Sequence, residues 1–115
     1  MAPRPSVSLS IEFDFDSARV RADSLAVLGN LAQALQSPAL QDARFLVEGH
    51  TDASGRADYN QRLSAQRAQA VSAWLAAQGV APARLSAVGK GATEPALPET
   101  PNAAANRRVR IVNLD

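Results

Sequence analysis

The stretch from Arg44 to Gly79, RFLVEGHTDASGRADYNQRLSAQRAQAVSAWLAAQG, decides the fold. Its first five residues, Arg44-Phe45-Leu46-Val47-Glu48, form a short, mainly apolar strand run. The run breaks into Gly49-His50-Thr51-Asp52-Ala53-Ser54-Gly55, a loop rich in turn formers. From about Asp58 to Gln78 the spacing predicts one long helix, stopped by Gly79 with Pro82 just beyond. Strand, loop and helix in direct succession begin a β-α-β unit.

Outward from this stretch the same periods recur. Val7 to Asp16 alternates, with Val7, Leu9, Ile11, Phe13 and Phe15 on one side and polar residues on the other, which predicts a half-buried strand. Asp23 or Ser24 can cap a first helix whose apolar positions are Leu25, Leu28, Leu31, Ala32 and Leu35, and Ser37-Pro38 ends it. Leu85 to Gly89 reads as a third strand and Arg107 to Leu114 as a fourth. Between them, Gly91 to Ala105 carries Pro95, Pro98 and Pro101 and reads as a surface loop. The expected fold is α+β (an α/β sandwich), ordered β-α-β-α-β-(loop or short helix)-β, with the helices packed on a small mixed four-stranded sheet. Residues 1–6 read as a disordered or non-native N-terminal segment and residues 7–115 as a single domain.

Composition narrows the function classes. A chain of 115 residues suits one domain. Its net charge of +1 lacks the basic excess of a general nucleic-acid binder. Lys90 is the only lysine; the remaining basic residues are arginines, which grip carboxylates with two prongs. With no cysteine, disulfides, thiolate metal sites and cysteine nucleophiles are excluded. No apolar run approaches the ~18 residues of a membrane span, so no direct membrane insertion by this segment is expected, and any anchor would lie outside it. Gly89-Lys90-Gly91-Ala92-Thr93 is not a phosphate loop, because the required first glycine is Arg84.

The informative anomaly lies in the long helix. Leu63, Ala70, Val71, Trp74 and Leu75 fall in one apolar stripe at about 100° per residue, and Arg67 lands in its middle, with Asn60 on it as well. An unpaired buried guanidinium would cost several kcal/mol, so Arg67 either snorkels, joins a structural salt bridge, or meets an anionic ligand. Asp52 stands where the second strand ends, the place where layered α/β folds collect ligand groups. An Asp and an Arg on opposite sides of a shallow pocket suit a zwitterion, Asp52 taking the ammonium and Arg67 the carboxylate.

Gly49-His50-Thr51-Asp52, Gly55, Tyr59-Asn60, Leu63-Ser64, Arg67-Ala68, Val71, Leu75, Gly79 and Asn106-Arg107-Arg108-Val109 together resemble the OmpA-like C-terminal domain family, a periplasmic peptidoglycan-binding module. The resemblance runs from Phe13-Asp14-Phe15-Asp16-Ser17 to the last strand. It implies a ligand in the peptide stem of the cell wall, gripped at meso-diaminopimelate, with Asp52 and Arg67 as the two signature residues. It also implies contributions from Asn60, Thr51, Phe15, Asp16 and Arg107. Several of these have plainer readings: Asn60 as a helix-capping residue, Arg107 as part of a solvated row, and His50 as a satisfied structural histidine.

The sequence therefore predicts a non-catalytic module that tethers an outer- or inner-membrane protein to the peptidoglycan of a Gram-negative envelope. No cofactor, metal or nucleic-acid partner is expected. Two rivals are an enzyme and an envelope protein-interaction or assembly module, including a homodimer. The first is disfavoured by a lone His, no Cys and no second acid with reason to face Asp52.

Overall fold

The computed structural model describes residues 6–9, 11, 13, 20, 22–51, 56–92 and 108–115. Among them lie four strands, β1 (Ser6–Leu9), β2 (Phe45–Gly49), β3 (Leu85–Gly89) and β4 (Val109–Asn113). Two helices accompany them, α1 (Leu25–Leu35) and α2 (Ala57–Ala77). The strands form one sheet in the order β1-β4-β2-β3. β4 runs antiparallel to β1 and to β2, while β2 and β3 are parallel. This is the mixed sheet expected from the sequence, with its two helices, in an α+β fold.

Alternation along the central strands creates the core. Phe45 and Val47 of β2 and Val109 and Ile111 of β4 are buried together with Leu28, Ala32 and Leu35 of α1 and Ala68, Val71 and Leu75 of α2. The parallel pairing of β2 and β3 requires a crossover, and α2 is that crossover. α2 ends within one residue of the expected position. Gly79 follows at φ 110°, and a side chain there would also strike Gln36 Oε1 at 2.8 Å. The Gln36 amide donates to the carbonyls of Ala32 and Gln78, both at 3.1 Å, tying the C-terminal ends of the two helices together.

Three local expectations change. In the described part of the run expected from Val7 to Asp16, β1 spans Ser6–Leu9, Ile11 is buried but outside the strand, and Phe13 forms an isolated antiparallel bridge with Val20; residues 10, 12 and 14–16 lie outside the described residues. The reason is the length of β4, whose first residue, Val109, already pairs with Leu9. Leu25 belongs to the helical spacing yet is exposed, whereas Ser24 is buried. Helical side chains lean toward the N-terminus, so a first-turn leucine projects past the core it was expected to join. Ser24 occupies the cap position of α1 without making a side-chain cap bond, because a 3₁₀ turn, Ala22–Ser24, leads directly into the helix. The proline-containing loop lies largely outside the described residues.

Candidate functional site

The parallel pairing aligns the C-terminal ends of β2 and β3, so Gly49 and Gly89 are register partners beneath α2. A methyl on Gly49 would collide with the Ser64 carbonyl, and one on Gly89 with the Ala65 amide nitrogen and, at 2.6 Å, with Ser64 Oγ. The two glycines therefore let the helix backbone rest almost directly on the strand ends. Polar contacts then lock it there. The Gln61 amide donates to the Gly89 carbonyl. Ser64 Oγ donates to Gln61 O and accepts from Gly91 N, both at 2.9 Å.

Beyond Gly49 the chain remains held by backbone bonds. His50 N donates to Arg108 O and Thr51 N to Gly91 O, each at 2.8 Å. Thr51 is buried, and its Oγ1 has no hydrogen-bond partner among the described residues. Its backbone N–H is already committed, so the hydroxyl is the group it can offer a ligand. A buried hydroxyl left without a partner costs about 1–3 kcal/mol, a penalty an incoming acceptor or donor would relieve.

On the helix side, Asn60 and Arg67 stand seven residues apart, two turns along one face of α2. Asn60 is buried and is not the cap: that position belongs to Arg56, whose carbonyl accepts the Asn60 N–H at 2.9 Å. Arg67 is half-buried, with its guanidinium carbon 4.8 Å from the centroid of the Phe13 ring. Helix face and strand end are coupled through Gly91, which binds Ser64 on one side and Thr51 on the other.

Behind the strand end sits a buried polar cluster. Glu48 Oε1 lies 3.2 Å from His50 Nε2 and 3.6 Å from an Arg110 guanidinium nitrogen. His50 is thus engaged with a carboxylate in the interior, as a structural histidine would be. No group of three or more His, Cys, Asp or Glu suited to a metal occurs among the described residues. Asp52, Phe15, Asp16 and Arg107 lie outside the described residues, although the neighbours Thr51 and Arg108 and the nearby Phe13 are placed. Sequence reading missed three contributors. In the sequence Phe13 reads as a strand residue that opens the family-like segment, Gly49 as a residue of backbone conformation at the strand end, and Glu48 as part of the second strand. The available signal for the last is an acidic residue that ends a continuous apolar run, Phe45-Leu46-Val47, just ahead of Gly49-His50.

The family model described as the OmpA family matches residues 12–109. Among curated proteins, the chain is 42% identical over 106 residues to outer membrane porin F of Pseudomonas fluorescens, covering 90% of this chain and 32% of the porin. It is 40% identical over 104 residues to the peptidoglycan-binding protein ArfA of Mycobacterium tuberculosis, covering 89% of this chain and 31% of that protein. Both are more than twice as long as the region matched. Among solved structures, the peptidoglycan-associated lipoprotein from Burkholderia pseudomallei superposes with a TM-score of 0.75 at 34% identity, covering 92% of this chain and 88% of that one.

Proposed function

Because this chain belongs to the OmpA family, we propose that residues 7–115 form a non-catalytic peptidoglycan-binding domain that recognises meso-diaminopimelate in the stem peptide. In this reading Arg67 takes the terminal carboxylate through two parallel hydrogen bonds, and Asp52 takes the ammonium. Asn60 and the unsatisfied Thr51 hydroxyl add polar contacts, with Phe15, Asp16 and Arg107 at the border. The domain works in the periplasm, within a protein anchored in the outer or inner membrane, and holds that membrane to the wall. No helix among the described residues is long and apolar enough to cross a membrane.

The observation that carries the reading is Arg67. Its guanidinium lies over the Phe13 ring, on the same helix face as the buried Asn60, and that helix rests on a strand end beyond which the Thr51 hydroxyl has no partner among the described residues. The names of the relatives support it, one being peptidoglycan-binding and another peptidoglycan-associated. Two charged contacts at a polar site correspond to a dissociation constant on the order of micromolar to millimolar. Many such contacts along one polymer supply the strength of the tether.

Sedimentation with purified diaminopimelate-type peptidoglycan tests this. Wild-type protein should pellet with the polymer, while Asp52→Ala and Arg67→Ala, folded by circular dichroism, should remain in the supernatant. Lysine-type peptidoglycan, whose stem lacks the terminal carboxylate, should retain far less wild-type protein. Undiminished pelleting of both variants would overturn the clamp.

A further inference from the structure

Ser64 stands between Asn60 and Arg67 on one face of α2, four residues after the first and three before the second. It is wholly buried, so it can touch no ligand itself. Serine in a helix interior is a weaker helix former than the alanines around it, so its place in the middle of α2 needs a tertiary reason. That reason is Gly91, just past β3, whose N–H donates to Ser64 Oγ at 2.9 Å. The Gly91 carbonyl in turn accepts the Thr51 N–H at 2.8 Å. Its φ of 55° and its closeness to Gln61, whose Oε1 would lie 3.2 Å from an added Cβ, keep the position for glycine. The path from the helix face to the end of β2 thus runs through two hydrogen bonds and one glycine.

We propose that Ser64 is a positioning residue of the binding site: its hydroxyl, by holding Gly91 N, sets the spacing between the Asn60–Arg67 face of α2 and the Thr51 end of β2, and so the affinity for the stem peptide. This rests on the assignment of Arg67 and Asp52 to diaminopimelate. A two-ended ligand gains fully from both contacts only when their spacing is right before it arrives; otherwise the ordering cost falls on binding. Without the hydroxyl, the buried Gly91 N–H loses its acceptor, a costly state that the turn escapes by moving away from the helix. Thr51 follows, because its N–H is bonded to the Gly91 carbonyl, and Asp52 is the next residue of the chain. Gly49 and Gly89 fix how close α2 lies to the strands, and the Ser64 bond carries that closeness past the strand end to the turn that holds Thr51.

The test measures binding to purified diaminopimelate-type peptidoglycan by Ser64→Ala and Ser64→Cys, each checked for folding by circular dichroism. Cysteine nearly keeps the volume but offers Gly91 a weak acceptor. Both variants should bind about tenfold more weakly than the wild type. Asp52→Asn should cost a smaller fold-change in the Ser64→Ala background than in the wild type, because a misplaced carboxylate has less to lose. Undiminished binding by Ser64→Ala or Ser64→Cys would overturn the proposal. An Asp52→Asn loss of equal size in both backgrounds would overturn it too, since Ser64 would then be structural only. A measurement on the wild type decides the matter if neither variant folds: by linkage, a soluble diaminopimelate-containing stem peptide at saturation should slow hydrogen exchange at the Gly91 N–H more than at the Val47 N–H in the core. Equal slowing at the two amides would overturn the proposal. Full binding by both Arg67→Ala and Asp52→Ala would overturn the clamp itself, and with it this inference; loss of binding in those variants beside undiminished binding by Ser64→Ala would overturn the inference and leave the clamp standing.

Discussion

Arg67 and Arg84 each lie over a phenylalanine ring, that of Phe13 and that of Phe45. The Arg84 guanidinium donates to Ala43 O and Leu35 O at 2.8 Å and to Leu40 O at 2.6 Å, so it satisfies carbonyls at and just beyond the end of α1 that the helix itself leaves open. Lysine has the charge but not the planar fork, and cannot reach all three oxygens. Arg84→Lys should therefore lower stability by about 2–3 kcal/mol in urea unfolding, given that a bond to a charged donor contributes roughly 1.5–3 kcal/mol. Peptidoglycan binding at native conditions should be unchanged, because the partners of the Arg84 guanidinium among the described residues are Leu35, Leu40, Ala43 and the Phe45 ring, none of them assigned to the ligand. Arg67 could be singled out in the sequence because it breaks an apolar stripe. Arg84 could not, because its acceptors lie 41 to 49 residues away and belong to a different connection.

At the scale of elements, α2 and the paired ends of β2 and β3 make the platform. Periodicity alone located both strands and the helix to within a residue or so, because side-chain alternation and the 3.6-residue repeat are local properties. What periodicity does not carry is how closely the helix approaches. That depends on Gly49 and Gly89 being opposite each other in the parallel register, under Ser64 and Ala65. Gly89→Ala places its new methyl against helix backbone, which has no rotamer to yield, so the helix must lift. We expect a loss of about 2–3 kcal/mol in denaturant unfolding. The folded fraction should also bind peptidoglycan more weakly in sedimentation, since lifting α2 separates Asn60 and Arg67 from Thr51. The run from Val7 to Asp16 illustrates the converse limit: its alternation is continuous, but a strand extends only as far as its neighbour, and β4 stops at Val109.

Across the whole molecule, α1, α2 and the sheet share one core, from Leu28 and Leu35 through Val47 and Ile111 to Val71 and Leu75. A single core in a chain of 115 residues should unfold as one cooperative unit. Trp74, the only tryptophan, packs against that core, so its fluorescence reports on tertiary structure. Urea curves followed by Trp74 fluorescence and by far-ultraviolet circular dichroism should superimpose; separated midpoints would reveal an independently melting layer. The sequence by itself determined the helices, the central strands, the charge balance suited to a zwitterion, and Arg67 as the residue out of place, because each follows from local periodicity or from a single side chain's chemistry. Only the tertiary structure decided the strand order, the early end of β1, the seat of α2 on two glycines, the Glu48–His50–Arg110 cluster and the ring beneath Arg67. Those depend on which distant segments meet, and that is set by burial of the shared core rather than by any segment's own pattern.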